Sequence, residues 1–319
     1  MRTVSAEFVY TPAESLGFKY DIDPTTVRRI DKAVVKEQQQ PPTKDGIKSI
    51  LVDEKYLGPS VGFVTLVVNA RSGEPLYMAP GKDKAALDGF FKELTPAQKN
   101  NIRYIGIDRG NAYRASALHN IPAIQICYDP FHIIANMNEV VDRVRRAAIK
   151  AANNTELQLL SNSRYLLLKD ASSLNEDAAA KLQTLMSCNE PLHKAYTLKE
   201  QLRAVFRLKD INAATWSMIR WVKMAMRSGV AQIVRFAKGI HNALPDILNT
   251  IRSGMSSAKI ESMNASIQRI LSKTCGLHDI DYLFAKLRQR FLLNRKIYRY
   301  RLMRGLRLRV KSDIVSPLG

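Results

Sequence analysis

The chain has 319 residues, 46% of them hydrophobic, three cysteines and a formal net charge of +20. Its length allows a sizeable core. Its excess of basic over acidic residues predicts attraction to phosphate backbones, although basic ribosomal and membrane-surface proteins have a similar excess. No apolar run reaches the roughly twenty residues of a membrane span, which argues against a membrane protein, and the few cysteines without a signal segment indicate a reducing, cytoplasmic setting.

The amino end carries two predicted helices. Residues 11–18 can form a short helix, and Asp23 followed by Pro24 provides the N-cap and first residue of a second. A helix-turn-helix reader of DNA fits this pair, and an amphipathic pair that packs on the rest of the protein is the alternative. In the first case the second helix would contact DNA through Thr26, Arg28 and Arg29. We predict such a remnant at 1–37 and a polar, proline-bearing linker at 38–46.

Short apolar segments separated by Gly, Pro, Ser and Asn then predict a sheet. In chain order we expect strands at 49–53, 61–69 and 75–79, a helix at 82–94, a strand at 103–108, a helix at 111–119 and a strand at 123–128. This βββαβαβ order predicts an α/β fold with a mixed sheet, in which the first and fourth strands lie side by side and parallel. The first part of this core is assigned to 47–138.

Two acidic residues stand at the ends of neighbouring predicted strands, Asp53 after the apolar run 50–52 and Asp108 after 105–107. Two carboxylates held close repel each other, so the pair is favourable with a cation between them, and an all-oxygen site suits Mg²⁺. Two such ions can activate a hydroxyl and stabilise the leaving oxygen of a phosphodiester. The structural alternative is that each Asp only starts a turn or caps a helix.

A third acid, Glu261, opens a predicted amphipathic helix in the second part of the core, 251–290. Its apolar residues recur at helical spacing, while Glu261 and Asn264 share a polar face. Glu261 could therefore reach a metal site, although any Glu in a first helical turn also gains from the helix dipole.

Residues 139–250 show repeated helical spacing and predict an all-helical insertion. Trp216 and Trp221 are expected in its core, with base stacking as the alternative. Just before it, Asp129 and His132 begin a helix and could face one cleft. Their spacing can bind a metal, but a hard-oxygen centre does not need imidazole, so we expect them to shape the site or contact DNA.

The carboxy end is strongly basic, because residues 282–312 contain eleven basic residues and no acid. A solvated helix face normally carries both acidic and basic side chains. The absence of acids therefore favours DNA contact over a merely charged tail at 291–319. The residues expected to contact DNA here are Arg288, Arg290, Arg295, Lys296, Arg299 and Arg301.

These segments resemble the insertion-sequence transposases of the ISL3 family, which carry a DDE domain. The resemblance lies in residues 52–55, in 106–113, in 129–132 with the basic helix 140–146, and in Glu261-Ser262-Met263-Asn264, which looks like the family's Glu-x-x-Asn element. It runs from about residue 20 to about residue 295.

The resemblance implies that Asp53, Asp108 and Glu261 are the catalytic acids of a ribonuclease H-like fold with helical extensions at both ends, and that they hold two Mg²⁺ ions, for which Mn²⁺ can substitute. It implies cleavage at transposon ends, which exposes a 3′-hydroxyl, and joining of that hydroxyl to a target. The expected partners are double-stranded DNA, as terminal inverted repeats and target, and further copies of the chain on DNA. The expected setting is the bacterial cytoplasm, at the nucleoid.

Two features depart from the family pattern. Its cysteine-rich zinc segment has no counterpart, since Cys127, Cys188 and Cys275 lack ligand spacing, and we expect an amino-terminally truncated member. After Glu261, the family's second Asn and basic run are replaced by Ala265 and by 272–275. The alternatives are therefore a remnant that only binds DNA and a structure-specific nuclease of the same fold.

Overall fold

The computed structural model describes residues 1–8, 11–38, 40–108, 111–274 and 279–295. Within these ranges the chain forms two compact units. One unit draws on residues 1–105, 111–124 and 258–295, and the other on 106–108 and 125–257.

The first unit begins with three short helices: α1 (Arg2–Phe8), α2 (Ala13–Tyr20) and α3 (Pro24–Gln38). Both α1 and α2 pack on α3 around a small core of Val4, Phe8, Leu16 and Val27. The predicted N-cap of α3 is present, since Asp23 Oδ1 accepts a hydrogen bond from the Thr25 amide at 2.7 Å.

Five strands form one mixed sheet in the order β3-β2-β1-β4-β5, which confirms the predicted α/β class. Strands β1, β2 and β3 are joined as antiparallel neighbours, and β2 is rich in the β-branched residues that suit a sheet. The strands are β1 (Ser49–Tyr56), β2 (Phe63–Asn69), β3 (Pro75–Pro80), β4 (Tyr104–Ile107) and β5 (Gln125–Tyr128).

Two details differ from the predicted elements. β1 does not end at Asp53 but continues to Tyr56, because Glu54 and Lys55 still pair with Thr65 and Val64 of β2. Helix α4 (Lys84–Lys92) confirms the helix predicted at 82–94, and a second helix that was not predicted, α5 (Pro96–Asn101), follows it. The second begins because Thr95 and Gln98 form a capping box around a proline at the first turn.

Within the described residues, the first unit has three further helices. These are α6 (Asn111–Asn120), which packs on α4, and two helices late in the chain, which we number in chain order as α15 (Ala258–Thr274) and α16 (280–295). Helix α15 packs on β1, and α4 packs on β2 and β3 with Leu87, Phe90 and Phe91 buried. Burial of these apolar side chains is the main favourable contribution to this unit.

The second unit is helical apart from residues of β4 and β5 in the part of the chain that the structure describes. Its helices are α7 (Pro130–Ala151), α8 (Asn154–Ser161), α9 (Arg164–Leu168), α10 (Glu176–Cys188), α11 (Glu190–Arg207), α12 (Ile211–Met226), α13 (Ala231–Asn242) and α14 (Leu244–Ser253), with a 3₁₀ turn at Ala171–Ser173. Helix α14 packs on β5, where Thr250 Oγ1 donates to the Tyr128 carbonyl at 2.8 Å.

The core of this unit contains Trp221 but not Trp216. Trp221 is 2% exposed, and its indole N–H donates to the Leu198 carbonyl at 2.7 Å, whereas Trp216 is 73% exposed. The prediction of a core position is therefore confirmed for Trp221 and wrong for Trp216. No described helix is both long and apolar enough to cross a membrane.

Candidate active site

Asp53 lies in β1 between the buried strand residues and the half-buried Glu54. Its Oδ1 accepts the Glu54 amide at 2.9 Å, and its Oδ2 accepts Asn264 Nδ2 at 2.6 Å. The carboxylate is thus fixed in orientation from two sides, which is the preorganisation that a ligand or a charged transition state requires.

Asn264 lies on α15, three residues after Glu261. The predicted apolar stripe of this helix is present, with Ile260, Met263 and Ile267 buried, and Glu261 is exposed. The stripe anchors the helix, so its polar face can hold the amide of Asn264 against Asp53. The sequence named all three polar residues, and the structure adds the bond between two of them.

The second unit holds another group of predicted residues. Asp108 follows β4 and is 44% exposed on its side chain, and its Oδ2 lies 3.7 Å from Nδ1 of His132. Nε2 of the same ring lies 3.7 Å from Oδ2 of Asp129. These are ion-pair distances rather than hydrogen bonds. The ring therefore lies between two carboxylates; the Asp-x-x-His spacing suggested its proximity to Asp129, and the proximity to Asp108 is added by the structure.

Asp129 has a structural role as well. Its Oδ1 accepts the Phe131 amide at 3.1 Å and caps α7, with Pro130 in the first turn. The sequence did not predict this cap, which also fixes the Asp129 side chain beside His132.

Tyr113 is a buried neighbour of the Asp53 region to which the sequence gave no individual role. Its hydroxyl and Thr65 Oγ1 are 2.8 Å apart. Burial raises the pKa of Tyr113 to about 12, with smaller contributions from the negative charges of Glu54 and Asp53. Tyr113 belongs to the 106–113 segment that resembled the ISL3 family, which was the available signal.

The donor atoms of the first unit suit a hard divalent ion. Carboxylate and amide oxygens are the ligands such ions prefer. Asn264 Oδ1 is buried and accepts no hydrogen bond from any residue that the structure describes, although the same amide donates to Asp53. A buried amide oxygen that accepts no hydrogen bond and lies next to a carboxylate is consistent with a cation or water as its partner. Among the described residues, no three His, Cys, Asp or Glu side chains are grouped to bind a metal by themselves.

The predicted DNA-contacting residues of α3 differ in environment. Arg28 forms an ion pair with Glu14 at 2.9 Å, Thr26 is half-buried and Arg29 is exposed. Of the three, Arg29 has its charge most open to a phosphate.

Arg288 is a correction to the basic carboxy-terminal set. It is 6% exposed, and its guanidinium donates to Glu74 at 3.2 Å and to the Pro75 carbonyl at 3.0 Å. Because its guanidinium is buried and paired with Glu74, it cannot bind a phosphate. Arg290 is half-buried and Arg295 exposed, while Lys296, Arg299 and Arg301 lie outside the described residues.

Comparison with known proteins identifies the family of this chain. The model of the ISL3-type DDE family, described as "Transposase", matches residues 50–287. The chain is 29% identical over 269 residues to the transposase for insertion sequence element IS1001 of Bordetella parapertussis, which covers 83% of this chain and 66% of that protein. It is 28% identical over 262 residues to the transposase for IS1557 of Mycobacterium tuberculosis, covering 75% of this chain and 59% of that protein.

The chain therefore spans about three fifths to two thirds of the length of these curated relatives. The family match covers well over half of the chain and includes the strands of Asp53 and Asp108 and the helix of Glu261. The chain belongs to the ISL3 family of DDE transposases.

Proposed function

We propose that this chain is a DNA transposase that cleaves the phosphodiester at a transposon end and joins the freed 3′-hydroxyl to target DNA. The observation that carries the proposal is the 2.6 Å hydrogen bond from Asn264 to Asp53, which links positions 211 residues apart. It ties the helix of Glu261 to the strand of Asp53, the two elements of the first unit that the DDE resemblance marks as catalytic.

In this proposal Asp53, Asp108 and Glu261 supply the carboxylates of a ribonuclease H-like centre. Asp53 lies in β1, and Asp108 directly follows β4, the neighbour of β1 in the strand order. DDE transposases as a family use divalent metal ions, and two Mg²⁺ ions, or Mn²⁺ in their place, would supply activation of the attacking hydroxyl and stabilisation of the leaving oxygen.

The other site residues position these carboxylates. Asn264 and the Glu54 amide each donate to one oxygen of Asp53 and so fix the orientation of the carboxylate. His132 lies between Asp108 and Asp129, and its ring offsets their mutual repulsion whenever it is protonated. In this scheme Asn264 and His132 are positioning residues, not catalytic ones.

The proposed partner is double-stranded DNA, first the terminal repeats of the element and then the target. A net charge of +20 provides long-range attraction to phosphates, and the exposed Arg29 and Arg295 provide contacts in the described chain. Two ends must be held together for joining, so we propose a homo-oligomer on DNA, acting in the bacterial cytoplasm at the nucleoid.

The experiment that tests the proposal is an excision and insertion assay in cells. A marker is flanked by the DNA that borders the gene, and the protein is supplied separately as parent, Glu261→Gln or Glu139→Gln. The first variant keeps the shape of a proposed catalytic acid without its charge. The second is its matched control, because Glu139 is an exposed carboxylate of α7.

We expect marker movement with the parent and with Glu139→Gln, and none with Glu261→Gln. Purified Glu261→Gln should still bind the end DNA as the parent does. Equal movement with Glu261→Gln and the parent would show that the carboxylate assignment is wrong.

A second candidate, a remnant that binds DNA without cutting it, is favoured by one observation. Ala265 follows Asn264 where the family usually has a further Asn. Binding of the end DNA by the parent without marker movement in the same assay would select this candidate.

A further inference from the structure

One face of helix α12 is exposed and contributes no side chain to the core of the second unit. Its opposite face contributes Met218, Trp221 and Val222 to the core, and Trp221 makes an edge-to-face contact with Phe236 of α13. The exposed face is therefore not needed for the packing of this unit and is accessible to a binding partner.

The exposed face carries one aromatic ring and three positive charges in a row. Trp216, Arg220, Lys223 and Arg227 are separated by four, three and four positions, the spacing that places side chains along one side of a helix. All four are exposed. With a rise of 1.5 Å per residue the row is about 16 Å long, over which one strand of B-DNA presents about five phosphates. We call these four residues the α12 row.

The chain segment that carries the α12 row has charges of a single sign. Residues 211–245, which contain α12 and α13, hold five Lys or Arg and no Asp or Glu. No ion pair involves any of the five within the described part of the chain. A surface of unpaired cations attracts a polyanion, and its charge gives affinity that falls with salt.

A shallow groove borders the row. It has a volume of about 460 Å³, and Leu208 of the α11 end and Met224 of α12 form part of its apolar wall. Arg220 lies on its edge, so a base or sugar beside the row would have both an apolar and a cationic contact.

We propose that the α12 row binds an unpaired segment of DNA, with Trp216 stacking on a base and the three cations contacting its phosphates. Aromatic side chains stack on base faces, which are covered inside an intact duplex and open where a strand end frays. The inference rests on the proposed function, because cleavage at a transposon end creates such strand ends.

A second copy of the chain is a weaker occupant. A two-fold contact centred on this face would bring Arg220, Lys223 and Arg227 of one copy against the same residues of the other. Like charges brought together in this way are unfavourable, and the segment offers no acid to balance them.

The test compares two labelled DNAs in the full chain carrying Glu261→Gln, which prevents cutting. One is a blunt 20-base-pair duplex, and the other is the same duplex with an unpaired 3′ tail of six thymidines. Affinity is measured by fluorescence anisotropy. Stacking is measured by quenching of tryptophan emission, for which Trp216 is the exposed fluorophore and Trp221 the buried one.

We expect Trp216→Ala to weaken binding of the tailed DNA by about fivefold or more, the usual effect of removing one stacked ring, and to leave the blunt duplex within about twofold. Trp216→Phe should keep most of the affinity and lose the quenching. Replacement of Arg220, Lys223 and Arg227 by Gln should lower the salt dependence of tail binding by about two units of slope. Tyr165→Ala is the matched control, since it removes a ring that is 76% exposed on α9 of the same unit.

Three results would overturn the inference. The first is equal binding of tailed DNA by Trp216→Ala and the parent without quenching in the parent. The second is an equal loss on both DNAs, which would leave no role for unpaired bases. The third is a change of solution mass in Trp216→Ala, measured by light scattering, which would assign the face to self-association. Failure of the parent to bind either DNA would instead contradict the proposed function, and the inference with it.

Discussion

A buried carboxylate joins the amino-terminal helices to the carboxy-terminal helix of the first unit. Asp31 of α3 is 0% exposed and accepts hydrogen bonds from Ser5 Oγ of α1 at 2.6 Å and from Lys286 Nζ of α16 at 3.1 Å. The Tyr282 hydroxyl donates to its other oxygen. The carboxylate of α3 is thus surrounded by donors from two other helices, α1 and α16, and Lys286 is itself only 3% exposed.

Replacing Asp31 by Asn keeps the shape and removes the charge that balances Lys286. Loss of one partner of a buried ion pair costs about 3 to 5 kcal/mol, because the other charge stays buried without compensation. Burial already lowers the pKa of Lys286, and Asp31 is the group that opposes this effect. In Asp31→Asn the pKa of Lys286 falls further, so we expect the loss of stability to be large at pH 7 and to shrink as pH rises towards the ordinary lysine pKa of 10.5, above which the amine is neutral in the folded and the unfolded chain alike.

The assay is urea unfolding followed by circular dichroism, with a double-mutant cycle that adds Lys286→Met. The double variant should lose less than the sum of the two single losses, by about 1 kcal/mol or more, because it leaves no uncompensated charge. Glu190→Gln is the control, since it breaks an exposed pair with Lys194, 2.7 Å apart, and should change stability little. If Asp31→Asn lost no more than Glu190→Gln, the buried network would not hold these helices.

Three further predictions concern the site and the fold. Asn264→Ala removes the 2.6 Å bond to Asp53 and should slow strand cleavage about 10- to 100-fold with unchanged DNA affinity, the usual loss when a group behind a metal ligand is removed; normal cleavage would exclude a positioning role. Gly17→Ala places a methyl carbon 2.7 Å from the Ile22 carbonyl oxygen and should lower the melting temperature, whereas a rise would show that the α2 turn can relax. The raised pKa of Tyr113, about 12 in the fold, means that its stabilisation is complete below pH 10 and is lost as pH rises to 12, so unfolding free energy should fall there by up to about 1.4 kcal/mol per pH unit, and Tyr113→Phe should reduce that slope.

The sequence predicted the strands of the sheet well because their signal is local. The five predicted strands are present, since short β-branched runs bounded by Gly, Pro and Asn are typical of strands. The end of β1 was misplaced because Glu54 and Lys55 resemble a loop by polarity. Their pairing with β2 is a property of the partner strand, which a local pattern does not contain.

Helix α1 was missed for a similar reason. Its residues include Thr3 and Val4, which are poor helix formers, and it carries no capping signal. It forms because Val4 and Phe8 pack on Leu16 and Val27, so the stability comes from tertiary contacts.

In the candidate site, too, local patterns could be predicted from the sequence and long-range contacts could not. The residue types and spacings of Asp53, Glu261 and Asn264 could be read from the sequence, whereas the bond between Asp53 and Asn264 could not. Arg288 shows the opposite error, because its basic neighbours suggested a DNA surface and its actual partner, Glu74, lies 214 positions away. Long-range pairs of this kind decide whether a charge is available to a ligand.

We predicted both tryptophans of α12 in the core, although their helical spacing distinguishes them, and the distinction bears on function. Trp221 lies three and seven positions after Met218 and Ala214 and four before Ala225, so it shares their apolar face. Trp216 lies four and seven positions before Arg220 and Lys223, so helical spacing places it among cations instead. Because Trp216 lies among these charged side chains, its ring does not contribute to the core. Its exposure of 73% therefore points to a partner that offers both negative charge and flat apolar faces, and an unpaired DNA strand offers both.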